Sequence, residues 1–392
     1  CILIFLATSS CTALHLECDA LDLSCNPLLG TILYATPGAG VCSASPFDLT
    51  LPDAWPRVQA ELRRQAAKGN YGAPVATLFG PNPGVGSAYA GGVLAPNGKI
   101  YAIPHSATSV AVIDPQTNTV STFGNLVGGT KWVGGVLAPN GKIYAIPFGA
   151  TTTTVLEIDP ETNTTQEFGA LPATASKWSG AVLASSGLIY AAPVTAGNVL
   201  VVDPVRRTTT TTGVLNTQSS AVLASTGNVY SVPGGSGSPF AVISTFDSSI
   251  TTIGNAPAVA TPYLGGAIAP NGKIYALPTT GSAYAEIDPV SNAIVNFGTG
   301  SGFVSGVLAA DGKIYGIPNG SGGTYVAVDP DALVATTFGS IAGGNLYQSG
   351  VLAPNGKIYG IPFDAGSYLE IDPRANGSIC HAILLSSYLN KF

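Results

Sequence analysis

One motif constrains this chain more than any other. Residues 91–104 read GGVLAPNGKIYAIP, and worn copies begin again at Gly134, Gly180, Ser220, Gly265, Ser305 and Ser349. Its tyrosine falls at Tyr101, Tyr144, Tyr190, Tyr230, Tyr275, Tyr315 and Tyr359, spacings of 43, 46, 40, 45, 40 and 44 residues. The second copy shows what each unit contains. An apolar run (Val136, Leu137, Ala138) meets a Pro139-Asn140-Gly141 turn, where Asn-Gly predicts a hairpin with both central residues at φ > 0. KIYAIP and TVLEID then alternate as strands do, an Asp159-Pro160 turn follows, and TQEFG closes the unit. A repeat of this length with four strands is a β-propeller blade.

The turn aspartate recurs at Asp114, Asp159, Asp203, Asp288, Asp329 and Asp372, with Phe246-Asp247 as a degraded version in the fourth copy. The closing Phe-Gly recurs at Phe123, Phe168, Phe297 and Phe338. One more, Phe79-Gly80, precedes the first complete copy, and the last copy ends after Asp372-Pro373 without one. That offset predicts an all-β, seven-bladed ring over residues 75–373, in which an N-terminal strand completes the last blade and removes two open edges. An open solenoid would need capping units, and none is visible.

The stretch VAVIDPQTNTVSTFG (residues 110–124) resembles the repeat of YVTN and related NHL-type propellers, and GKIYAIP is similar to repeats of bacterial surface propellers. The resemblance implies a blade type and an envelope setting, but no activity, because such rings host unrelated functions. NHL-type lyases and lactonase-like members place His and Glu, or a carboxylate-bound metal, in the channel. Here Glu157, Glu286 and Glu370 fall inside third strands, and the inner strands are Val, Leu, Ala and Gly.

The flanks divide into residues 1–10, the remnant of a signal peptide, a cysteine-containing extension over 11–74, and a tail over 374–392. CILIFLA is too short to span a bilayer. Small residues before Cys11 resemble a lipobox, which would make Cys11 a lipidated first residue; the alternative is an ordinary signal with a plain cysteine there. Cys18, Cys25, Cys42 and Cys380 then allow two disulfides, with a Cys42–Cys380 staple near the ring closure as one pairing. Residues 53–68 form the one good helix pattern, capped by Asp53 and stopped by Gly69.

Charged residues make up 9% of the chain, against about 25% in typical soluble domains, and the net charge is −6 with no basic stripe. Nucleic acid is therefore not an expected partner. Scattered histidines (His15, His105, His381) and the lack of a Cys-x-x-Cys pair give no metal site, and no cofactor is implied. The expectation is an exported monomer that meets the membrane only through a lipid anchor.

An aromatic precedes six of the seven inner motifs: Tyr89, Trp132, Trp178, Tyr263, Phe303 and Tyr347, with Gln218 in the fourth blade. Facing one end of the ring, they would form a collar for a protein or carbohydrate ligand; facing neighbouring blades, they would be packing. His105 and Asp364, from adjacent blades, join them on the same face as binding residues, with an acid–base pair as the alternative. The leading reading is a non-enzymatic binding propeller. A channel-mouth hydrolase or lyase and a purely structural envelope protein are the alternatives. The lysines after the turns (Lys99, Lys142, Lys273, Lys313, Lys357) lie on the opposite face, where modest pairing with the turn aspartates is expected.

Overall fold

The computed structural model describes residues 73–82, 84–309, 311–319, 323–340 and 347–373. The candidate helix, Cys11, Cys42, Cys380 and both flanking segments lie outside these residues. The described chain is all β: seven antiparallel sheets of four strands each. Blade 1 comprises Tyr89–Leu94, Ile100–Pro104, Val110–Asp114 and Thr119–Phe123, and the pattern repeats through blade 6. Blade 7 takes three strands from the C-terminal repeat (Tyr347–Leu352, Ile358–Pro362, Ser367–Asp372) and its fourth, Val75–Pro81, from the other end of the chain. Val75 lies opposite Asp372 and Phe79 opposite Tyr368, so the ring closes as the Phe-Gly offset predicts.

Burial falls from the axis outward. The innermost strands of blades 1, 2, 3, 4 and 6 are buried at every position, whereas outer strands such as Thr119–Phe123 alternate between exposed and half-buried. This is the distribution expected where sheets pack face to face around an axis and only their outer edges meet water. Glycine enables the close approach of the inner strands. A Cβ on Gly350 would come within 2.4 Å of Ile317 in the preceding blade, and one on Gly92 within 2.7 Å of Ile361.

The Asn-Gly turns differ from expectation. Gly98 has φ 78° and Gly141 φ 79°, but neither Asn97 nor Asn140 is at positive φ. The Gly98 amide donates to the Ala95 carbonyl and the Ala95 amide to the Lys99 carbonyl. This is a three-residue loop, a type I turn ending in a left-handed glycine, and the proline ahead of Asn favours it because proline fixes φ near −65°. The freed asparagine side chain then works elsewhere: Asn97 Nδ2 donates to Tyr101 Oη, at 2.9 Å.

Tyr101 is the hub between blades. Its hydroxyl donates across to the Pro160 carbonyl in the Asp-Pro turn of blade 2, at 3.0 Å. Tyr144 does the same to Pro204, Tyr230 to Pro289, Tyr275 to Pro330 and Tyr359 to Pro115, which latches blade 7 to blade 1. The closing phenylalanines pack edge-on against the same tyrosines, Phe123 on Tyr101 and Phe79 on Tyr359 among them. The two most repeated signatures of the sequence are thus two halves of one inter-blade joint.

In three blades the joint carries a buried ion pair. Glu157, Glu286 and Glu370 lie directly opposite Tyr144, Tyr275 and Tyr359 and pair with Lys142, Lys273 and Lys357 at 2.6–2.8 Å. These lysines therefore serve third-strand glutamates first; Lys142 also reaches Asp159 at 3.6 Å, and Lys99 pairs with Asp114. Burial works to raise the Glu370 pKa, but donors from Lys357, Asn118 and Tyr359 outweigh it and hold the carboxyl below its ordinary 4.5. Lys357→Met should cost about 2 kcal/mol at pH 7, less than the full value of a broken buried pair because the lysine is one-third exposed (33%). A depressed folded pKa gives stability that is present above 4.5 and lost as pH falls through the folded value. The gap between wild type and variant in urea melts should accordingly shrink below pH 4.5; a gap constant to pH 3 (roughly a unit and a half below the ordinary glutamate value) would remove the pair from the joint.

Candidate functional site

The six aromatics do not form a collar. All six are at most 4% exposed and pack within and between blades. The reason is a bulge at the start of each inner strand, seen as a register shift between Trp132 and Gly135 and between Tyr263 and Gly265. One inserted residue reverses which side chains face the axis. The polar edge of the aromatic turns instead to the start of its own third strand: Trp132 Nε1 donates to the Thr154 carbonyl, Trp178 to Asn198 and Tyr263 to Ala283. Gln218, the apparent exception, keeps the same bond through its amide, to Pro239.

The residue after five of the six aromatics, and the one after Gln218, takes the axial place, whereas Val304, after Phe303, is fully buried. Ala90, Val133, Ser179, Ser219, Leu264 and Gln348 line a basin of about 520 Å³ that straddles the ring axis. The loops after the second strands supply His105, Phe148, Val194 and Phe363 to its wall. A recess of this size suits a small ligand.

His105 is buried (7% exposed), its ring 5.3 Å from Phe363 and 6.0 Å from Phe148. Burial, helped by the Lys131 charge, holds its pKa below 6.5. Its Nδ1 lies 3.2 Å from the Ser87 carbonyl, which can only accept, so Nδ1 carries the proton and Nε2 is the acceptor. Asp364 is exposed and accepts a hydrogen bond from the Ser87 amide. His105 and Asp364 are therefore brought together through one residue, Ser87, rather than by a direct hydrogen bond. Asn319, on the same face, donates to the Tyr347 carbonyl.

Sequence reasoning missed Lys131 and Lys177, each immediately before a collar tryptophan. Both are buried, at 3% and 0% exposure. Lys131 Nζ donates to the Gly128 and Gly129 carbonyls, and Lys177 Nζ to Gly149 and Thr174. Burial lowers both pKa values. The signal was available in the Lys-Trp pairs that open two adjacent blades, where a loop lysine would ordinarily be a solvated one.

No protein-family model and no curated protein matches the sequence. Solved structures do match in fold. A streptogramin B lyase aligns with a TM-score of 0.64 at 13% identity, over 76% of this chain and 97% of its own. A catalytically inactive histidine-to-alanine variant of virginiamycin B lyase from Staphylococcus aureus, solved with quinupristin, gives 0.61 at 11% identity, over 76% and 99%. The extracellular domain of a putative one-component system from B. thetaiotaomicron gives 0.57 at 11%, over 76% of this chain but 40% of that one. At these identities the likeness is one of fold: a seven-bladed propeller similar to bacterial propellers that include lyases and extracellular sensor domains.

Proposed function

We propose that this chain is an exported, lipid-anchored binding propeller that takes a glycan or a protein segment without chemical turnover, and that the ligand enters the axial basin. The observation that carries this is the basin itself, where two half-buried phenylalanines bracket a neutral histidine above a floor of serine hydroxyls and an amide. The extracellular domain among its structural relatives supports the exported setting. The full chain, immobilised and probed with oligosaccharides and envelope proteins, should retain a ligand that Phe363→Ser weakens at least about tenfold, the loss of one aromatic anchor, without a change in melting temperature. Equal retention by wild type and Phe363→Ser would sink the reading.

A lyase is the second reading, favoured by His105 in the basin and by the lyases among the relatives. Acid–base work at one centre needs a second ionisable group in reach, and among the described lining residues His105 is the one titratable side chain. The two readings part on His105→Ala: a lyase loses turnover and keeps binding, whereas a binding module shows no turnover in either protein.

A further inference from the structure

Charge is divided sharply between the two faces of the ring. The turns opposite the basin carry the Asp-Pro aspartates and the lysines that follow the Asn-Gly and Asp-Gly turns. The loops on the basin side, from the one before Tyr89 to the one after Pro362, contain three residues charged at pH 7: Lys131, Lys177 and Asp364. Asp364 is exposed, and neither lysine forms an ion pair among the described residues. Each ammonium has three donors, and backbone carbonyls take two. Carbonyl dipoles solvate a cation but do not cancel its charge.

Buried charges are ordinarily paired, because removing an ion from water is costly. Here two ammonium groups in adjacent blades are buried without a counter-charge, directly behind a basin wall. Thr130, Gly149, Ala175 and Ser176 line that wall, and Gly149 is itself bonded to Lys177 Nζ. Burial weakens solvent screening, so the basin carries a positive potential, opposed at that end of the ring by two exposed carboxylates, Asp364 and Glu167, the second bonded to Thr154. Ser179, Ser219 and Gln348 offer hydrogen bonds, and Phe148 and Phe363 offer ring faces. A recess of about 520 Å³ falls within the roughly 300–1,000 Å³ of small-ligand pockets, the size of a short oligomer rather than of a folded partner.

Resting on the binding reading above, we infer that the basin selects an anionic saccharide, a short oligomer carrying a carboxylate on its sugar ring, with Lys131 and Lys177 supplying the selectivity. The test is calorimetric titration of the full chain with di- and trisaccharides of galacturonate and glucuronate against neutral galactose and glucose oligomers of the same length. The acidic sugars should bind at least tenfold tighter than their neutral counterparts, and the preference should weaken as salt rises. Lys131→Met and Lys177→Met should each cut the preference several-fold while neutral affinity holds, and Lys99→Met, on the opposite face, should leave it intact. Replacing an unpaired buried ammonium by a thioether of similar length removes the cost of burying the charge but leaves two carbonyls without their donor, opposing effects that keep the change in melting temperature small. If a variant does fail to fold, the comparison of acidic with neutral sugars on wild type, with its salt dependence, still decides. Equal affinity for both sugars overturns this inference and leaves the binding reading standing. A preference that survives in the Lys131→Met/Lys177→Met double variant also overturns it. Binding of free-acid peptides but of no saccharide overturns the choice of ligand.

Discussion

Deletion of Val75–Pro81 is expected to yield a chain that no longer folds as a monomeric ring. The segment pairs with Ser367–Asp372 over six positions and seats Phe79 against Tyr359 and Tyr368, at 5.6 and 5.7 Å between ring centres. Several ladder bonds at about 1 kcal/mol each, and a half-buried aromatic worth about 1–2 kcal/mol, together rival the 5–15 kcal/mol that holds a typical domain folded. The deletion also bares a strand whose partner groups face solvent, an invitation to edge-to-edge association. Light scattering coupled to size exclusion should show aggregates, and near-ultraviolet circular dichroism should lose its tyrosine signal. A relocated strand supplies the control. In five of the other six blades the fourth strand follows the third through the Asp-Pro turn, so Val75–Pro81 placed after Asp372-Pro373 with a Gln-Thr-Asn turn should restore the monomer. A relocated chain that aggregates as badly would mean that something other than closure was lost.

The closure was legible because it could be counted. Phe-Gly and the tyrosine motif mark different strands of a blade, and a one-unit offset between the five Phe-Gly pairs, with Thr212-Gly213 and Ile253-Gly254 standing in twice, and the seven tyrosine motifs has one geometric meaning. Turn chemistry and strand alternation were equally plain, since proline, asparagine and glycine act locally. What escaped was everything that depends on register. The pairing of Tyr144 with Glu157 joins residues 13 apart, and nothing in their spacing distinguishes a partner from a neighbour on the far face. The bulge that opens each inner strand is likewise silent in the residue types, yet it decides whether Trp132 or Val133 meets the axis. Of the two facings open to the aromatic series, packing is therefore the one realised, and the basin lies one residue further along. Gln218 shows the same limit from the other side: it breaks the aromatic pattern but keeps the hydrogen bond that the pattern serves.

Trp178→Ala is expected to lower stability by about 3–5 kcal/mol, the usual cost of truncating a buried tryptophan, or roughly 5–8 °C in melting temperature for a ring of this size. Its indole is 1% exposed, packs with Leu171, Val136 and Val155, and donates to the Asn198 carbonyl at 2.7 Å. The bulk and the bond can be separated. Trp178→Phe keeps most of the apolar area but leaves the Asn198 carbonyl without its donor, an expected loss of about 1–3 kcal/mol. Trp178→Gln copies the solution used at Gln218, restoring a donor while surrendering the ring, and should fall nearer to alanine than to phenylalanine because cavity and transfer costs exceed one net hydrogen bond. Urea melts of the three variants order them as phenylalanine, glutamine, alanine. If Trp178→Ala instead melted like wild type and lost only ligand, the tryptophan would belong to a binding surface and the axial basin would not be the site.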